Sequence, residues 1–304
     1  MNVPVRSVAW ALLSSLSLFA GQIGLFGSSA VHAEDATAPR ATGASADAPG
    51  GRSPIFLANR PAVPSDGPSV AGEAKEHPLM PVIRWAREGL PALEKVNDYS
   101  ATFISHERVS GKLYDEEYAR IKIRQRPFSV RASFLRPASI AGREATYVEG
   151  RNAGRMLVRL TGIQRFVGVL SLEPDGPLAM SGHRYPINEI GLLNLVRRLL
   201  EIAEKDLAYG ECEVRVFHGA RINDRACTWI EVTHPVRRSY FTFHVARIFV
   251  DDRLNLPVRY EAYDFPAAGG APQLIEQYSY LDLKFNNGYT DADFELKKPK
   301  HRDR

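Results

Sequence analysis

Motifs for the common chemistries are missing from this chain. No G-x-S-x-G, H-E-x-x-H, H-x-H, G-x-G-x-x-G or P-loop spacing occurs in its 304 residues. The nucleophile elbow, the zincin helix, the dinucleotide turn and the phosphate cradle are therefore absent. Cysteine is scarce, with Cys212 and Cys227 the whole complement, and no cysteine–histidine pairing has local support. Charge of one sign is not in large excess either. Thirty-nine Lys and Arg against 35 Asp and Glu leave +4, which permits contact with anionic lipid, cell-wall polymer or nucleic acid without requiring any of them. Active sites also assemble from distant residues, so these absences narrow the enzyme classes without emptying them. No residue pattern points to an enzyme, a cofactor or a metal.

What is present begins with a leader. Arg6 opens residues 1–33, an uncharged apolar run follows, and Val31 and Ala33 occupy small-residue cleavage positions. The pattern predicts a secretory signal peptide and hence a periplasmic protein. The alternative is an uncleaved membrane anchor, since the run approaches a spanning length. No cysteine follows the run to take a lipid. Residues 34–76 are rich in Ala, Pro, Gly and Ser without periodicity and read as a disordered linker. Residues 77–298 form the expected folded domain, and 299–304 a basic tail. An exported protein allows a disulfide. However, a two-residue turn at Asn223-Asp224 pairs Ile222 with Arg225 and Cys227 with Ala220, leaving Cys212 far up the other strand, and that register argues against a bridge.

Within the domain, Leu79, Val82, Ile83, Ala86, Leu90, Leu93 and Val96 recur at helical spacing, with Pro91 expected to kink or divide the helix. The period then changes to two. Tyr118, Arg120, Lys122, Arg124 and Arg126 alternate with Ala119, Ile121 and Ile123, and further strands follow between Gly and Pro punctuation. A second helix, with Asn188 as N-cap and Gly210 as stop, carries Ile190, Leu193, Val196 and Leu200 on a stripe widened by Leu192, Leu195 and Leu199. Strands then resume. The count is roughly ten strands and two main helices, an α+β fold with a large antiparallel sheet that curls around a helix.

The segments "DYSATFISHERVSGKLYDEEYARIKIRQRPFSVRASFLRP" and "RIFVDDRLNLPVRYEAYD" resemble LolA-type proteins, periplasmic carriers and sensors built on a half-open, strongly curved antiparallel barrel. "PINEIGLLNLVRRLL", "THP", "ARIFVDDRLNLPVRYEAYDFP" and "DADFEL" resemble more closely an exported bacterial domain family of unknown function with a LolA-like appearance. The resemblance spans Leu79 to Leu296 and implies fold and compartment. No lipoprotein-binding residue carries over one by one.

The remaining signals have ordinary readings beside the functional ones. Asp251, Asp252 and Asn255 lack the glycine of a calcium loop, Leu254 and Leu256 sit where polar ligands would help, and the stretch reads as a turn. His234 and His244 face each other across a turn but lack further ligands, and the folded-part histidines read as half-exposed strand residues. Glu116 and Glu117 read as solvated hairpin residues. Arg120, Lys122, Arg124 and Arg126 share a face that either contacts an anionic membrane surface or is simply solvated and balanced by Glu107, Glu116 and Glu117.

Three functions follow in order. The first is a non-catalytic binder or carrier of apolar ligands, such as lipid or lipoprotein acyl chains, lined by Leu192, Leu195, Val196 and Leu199. The second is an envelope scaffold that uses the basic face. The third is a cell-wall hydrolase, which needs a cleft where polar residues of displaced pKa converge. Nucleic acid is not an expected partner of an exported chain.

Overall fold

The computed structural model describes residues 76–267 and 270–296. The expected signal peptide, nearly all of the linker and the basic tail lie outside the described residues. No helix among the described residues is long and apolar enough to cross a membrane.

Twelve strands form one antiparallel sheet: β1 (Asp98–Val109), β2 (Lys112–Leu113), β3 (Glu117–Gln125), β4 (Phe128–Arg136), β5 (Glu144–Val148), β6 (Met156–Arg159), β7 (Val169–Leu172), β8 (Glu213–Ile222), β9 (Arg225–Thr233), β10 (Val245–Asp251), β11 (Pro257–Asp264) and β12 (Gln273–Phe285). Their order is β7-β6-β5-β4-β3-β1-β12-β11-β10-β9-β8, with β2 beside β1. Two meanders therefore meet at the β1–β12 pair. The outer strands β7 and β8 do not pair with each other, so the sheet stays open. The two-residue β2 and the edge strand β7 were not foreseen, because neither has a run long enough to show alternation.

Among the described residues two α-helices join the sheet, α1 (Met80–Glu94) and α2 (Leu192–Asp206). Ile83 and Leu93 of α1, Leu193 and Leu200 of α2, Ile121 and Val130 of one wing and Ile230 and Ala246 of the other belong to one buried cluster. A single helix can touch both wings only if the sheet curves. Each buried Leu or Ile contributes about 1.5–3 kcal/mol relative to exposure. That burial also explains α1. Of the two outcomes expected at Pro91, a kink or a division, division does not occur: the helix is continuous through Pro91, because packing of Ile83 and Leu93 outweighs one lost backbone bond.

α2 begins at Leu192, not after Asn188, which lies in a short 3₁₀ turn. The cap comes from the sheet. The Leu192 N–H donates to the Tyr99 hydroxyl at 2.8 Å and the Gly191 N–H to the Tyr280 hydroxyl at 3.2 Å. Gly191 has φ 117°, and a Cβ there would stand 3.0 Å from the Tyr99 hydroxyl and 3.1 Å from Ile123 Cδ1. Only glycine fits that approach of helix to sheet. The helix stops at Asp206, short of Gly210.

Other local readings hold at the level of register. Ile222 pairs with Arg225 and Ala220 with Cys227, Asn223 and Asp224 both have positive φ, and the two cysteines are buried and free. The Asp251-Asp252 segment is a turn between β10 and β11. Asp251 Oδ1 accepts the N–H groups of Arg253 and Leu254 at 2.9 and 2.8 Å, and the Asn255 N–H donates to the Asp251 carbonyl at 2.8 Å.

Candidate functional site: two cavities divided by the second helix

The first cavity lies between the helices and the C-terminal wing. Val82, Trp85 and Leu90 of α1, Val196 and Leu199 of α2, and the strand residues Ile230 and Ile248 are among its lining. The turn that follows β10 supplies Asn255 and Leu256. The space is about 100 Å³. Asp206 is its single charged lining residue. Asp206 Oδ2 sits 3.2 Å from Nε2 of the fully buried His234. Trp85 contributes a buried indole Nε1 with no hydrogen-bond partner among the described residues. An unpaired buried donor costs about 1–3 kcal/mol.

The second cavity, about 110 Å³, lies on the other side of α2 over the N-terminal wing. Small residues create it. Ala132 of β4 pairs with Ile121 of β3 and with Ala145 of β5, so the inner face is shallow there. Phe103, Tyr278 and Tyr280 wall it, while Glu107, Glu117 and His183 give it a polar end. Register explains the convergence. Glu107 of β1 lies directly opposite Glu276 of β12. Glu117 of β3 pairs with Ser105, two residues before Glu107 on the same face.

Two buried carboxylates opposite each other repel unless cations and donors are supplied. The segment before α2 supplies them. Arg184 Nε donates to Glu276 Oε2 at 2.7 Å and the Arg184 N–H to Glu107 Oε1 at 3.2 Å. His183 Nδ1 lies 3.3 Å from Glu107 Oε2, the Tyr278 hydroxyl donates to Glu107, and the Tyr185 hydroxyl donates to Glu276 Oε1 at 3.3 Å. Burial raises the Glu117 pKa, with Glu107 and Asp115 adding to it against His183 and Arg143. Burial works against the His183 imidazolium, but the Glu107 hydrogen bond and the charges of Glu117 and Glu107 outweigh it and raise its pKa. Burial, then the charge of Glu276, push the Tyr185 hydroxyl up to about 12.

The residues singled out as apolar lining divide. Val196 and Leu199 line the first cavity and Leu195 the second. Leu192 lines neither; it is 0 % exposed in the core, where the helix start is held by Tyr99. The glutamates and histidine of the second cavity differ from expectation. Glu117 is not a solvated hairpin residue, because alternation places it on the inner face with Ala119 and Ile121. Nor is His183 a strand residue. His244 Nδ1 lies 2.8 Å from the His234 carbonyl, and no group of three or more His, Cys, Asp or Glu among the described residues could hold a metal ion.

The basic strand is balanced by groups other than those expected. Glu107 and Glu117 lie on the opposite face. The cations instead meet the C-terminal 3₁₀ turn, Asp291–Phe294. Lys122 pairs with Asp293 at 2.7 Å and Arg124 with Asp291 at 2.8 Å. Arg126 donates to the Glu94 carbonyl at 3.2 Å, while Arg120 is exposed. Phe294 is 2 % exposed beneath this turn, so the turn is docked on the domain.

Residues 96–302 match the model of a protein family of unknown function, DUF1571. The chain belongs to the DUF1571 family. No curated protein matches it. Among solved structures, the DUF1571 chain is similar to the lipoprotein LppX of Mycobacterium tuberculosis, at 15% identity over 69% of this chain and 97% of that one, with a TM-score of 0.40. It is also similar to a chain in the Pseudomonas aeruginosa MucA/MucB complex, at 15% identity over 71% and 60% of the two chains and a TM-score of 0.39. A LolA superfamily protein from Nitrosomonas europaea is 12% identical over 69% and 97%, with a TM-score of 0.27.

Proposed function

We propose that this DUF1571 protein is an exported, periplasmic, non-catalytic binder or carrier of an apolar ligand, an acyl chain of a lipid or lipoprotein, held in the cavity between α1 and α2. The observation that carries this reading is the lining of that cavity. Aliphatic and aromatic side chains from two helices and a sheet surround a space with Asp206 as its single charged lining residue. Burying each methylene there contributes about 0.8 kcal/mol. The Trp85 indole, which has no hydrogen-bond partner among the described residues, supplies one donor for the carbonyl of an ester or amide. A space of about 100 Å³ holds only part of a long chain, so uptake of a full acyl group requires α1 and α2 to separate.

The full chain, purified and examined by native mass spectrometry, is expected to carry or take up long-chain acyl compounds. Ala203 lines the cavity, and Ala203→Trp is expected to fill it and abolish uptake while the fold survives. Absence of uptake by the native chain, or uptake indifferent to Ala203→Trp, would overturn the reading.

A second reading, hydrolysis of cell-wall material, has one observation in its favour: Glu107, Glu117 and His183 converge in the second cavity. Against it, both Glu107 oxygens already accept from Tyr278, His183 and the Arg184 N–H. Failure of the native chain to release soluble fragments from purified peptidoglycan removes it. The scaffold reading is weakened by the pairing of Lys122 and Arg124 with the C-terminal turn.

A further inference from the structure

We propose that the second cavity is a separate binding site for a protonated primary amine carried on a short apolar body, with Glu117 as the anion that receives it. This goes beyond the acyl reading, which concerns the opposite side of α2.

The polar end of the cavity is unevenly satisfied. Glu107 is saturated by Tyr278, His183 and the Arg184 N–H, and Glu276, opposite Glu107 but not part of the lining, by Arg184 and Tyr185. Glu189, also at the cavity, is taken by Arg198 at 2.8 Å. Glu117 differs. Its Oε2 is buried and has no hydrogen-bond partner among the described residues, and it lines the cavity beside Ala119 and Ile121. A buried carboxyl oxygen without a donor is costly, and a ligand that brings a charged N–H recovers that cost.

The walls suit the same ligand. Phe103 stacks at 5.9 Å from Tyr278 and tilts at 5.0 Å from Tyr280, so aromatic faces and edges surround the space. Aromatic faces attract cations, and one wall already holds one, the Arg198 guanidinium 3.5 Å above the Tyr185 ring. The Ala132 and Ala145 positions give the apolar body its room. An anionic ligand would meet Glu107 and Glu117 with His183 alone as a lining cation beyond the paired Arg198.

The charged groups facing Glu117 set a pH signature. They are His183 from the segment before α2, Glu107 from β1, Asp115 before β3 and Arg143 before β5. As pH rises, Glu117 gains its negative charge and His183 loses its positive one. Both changes favour a bound ammonium, so amine binding strengthens with pH until the amine itself loses its proton.

The test is calorimetric titration of the full chain with hexylamine, hexan-1-ol and hexanoate, a series with one apolar body and three ends. Hexylamine is expected to bind about tenfold more tightly than hexan-1-ol, and hexanoate least. Glu117→Gln is expected to remove the preference for the amine, leave hexan-1-ol binding in place, and leave acyl uptake in the first cavity unchanged. Equal affinity for all three, no binding of any, or an amine preference that survives Glu117→Gln would overturn the proposal. Should that variant not fold, the amine-to-alcohol ratio of the native chain and its rise with pH decide the matter. Ala203→Trp, which blocks the first cavity, leaves this site intact, so failure of the acyl reading and failure of this one are separable.

Discussion

The two sides of α2 solve opposite problems with the same helix. Toward the C-terminal wing, Val196, Leu199 and Ala203 face α1 across an almost wholly apolar space. Toward the N-terminal wing, Leu195 and Arg198 face a cavity whose far end holds Glu107, Glu117 and His183. The first side is held by packing, which is non-directional and tolerates sliding. The second is held by paired charges and hydrogen bonds, which fix one geometry and are costly when broken. The first side is therefore the one able to open, and the second the one able to anchor α2 while it does.

The largest expected effect tests that contrast in stability. Glu107→Leu removes the acceptor shared by Tyr278, His183 and the Arg184 N–H, and the expected loss is about 3–5 kcal/mol. Leu200→Ala, beside the first cavity, is expected to cost about 2–3 kcal/mol, toward the lower end of the core range because a side chain next to a void has fewer contacts to lose. Urea denaturation of both variants measures the difference. A Glu107→Leu loss smaller than that of Leu200→Ala would break the comparison, since the charged side would then not be the anchor.

A smaller effect separates the two sides by pH. Glu117 and His183 both have raised pKa values in the fold. Each therefore binds a proton more tightly folded than unfolded, and each contribution is lost as pH rises through its folded value. Stability is expected to decline as pH rises from the ordinary glutamate range through and above the ordinary histidine range. Glu117→Gln is expected to flatten the acidic part of that decline, whereas substitutions lining the first cavity leave the slope alone. Asp291 and Asp293 have pKa values lowered first of all by their hydrogen bonds to Arg124 and Lys122. Their contribution is lost only as pH falls through the acid range, outside this window. Thermal unfolding across the pH series reads the slope, and a native slope unchanged by Glu117→Gln would remove Glu117 from the account.

The contrast between the sides also explains what could be read from the sequence. The apolar side is legible, because the α2 stripe is a local periodicity and the Asn223-Asp224 turn that sets the β8–β9 register is a local signal. The charged side is not, because Glu107 and Glu276 meet only through the β1–β12 pairing, and His183 comes from a segment with no period at all. Glu117 is the instructive case. Its parity with Ala119 and Ile121 points inward, whereas its place beside Glu116 in a hairpin points to solvent, and the parity prevails. The docking of Asp291 and Asp293 on the basic strand likewise depends on a long-range contact that no spacing reveals.

The smallest expected change in stability carries the sharpest consequence for function. Arg87 of α1 pairs with Glu204 of α2 at 2.8 Å, and Arg197 of α2 with Glu94 of α1 at 2.6 Å. All four side chains are at least 40 % exposed, so each pair contributes about 0.2–1 kcal/mol and weakens with salt. These pairs tie together the two helices that would part in the proposed acyl uptake. The double variant Glu94→Gln/Glu204→Gln is therefore expected to unfold at nearly the native denaturant concentration yet take up ligand faster. Stopped-flow emission from Trp85, which lines the cavity, reads the rate, with Trp229→Phe removing the second indole of the domain. Added salt should accelerate the native chain and leave the double variant unmoved. If both rates are alike at low salt, the helices do not separate during entry, and the flexible side of α2 must admit its ligand through the sheet edge instead.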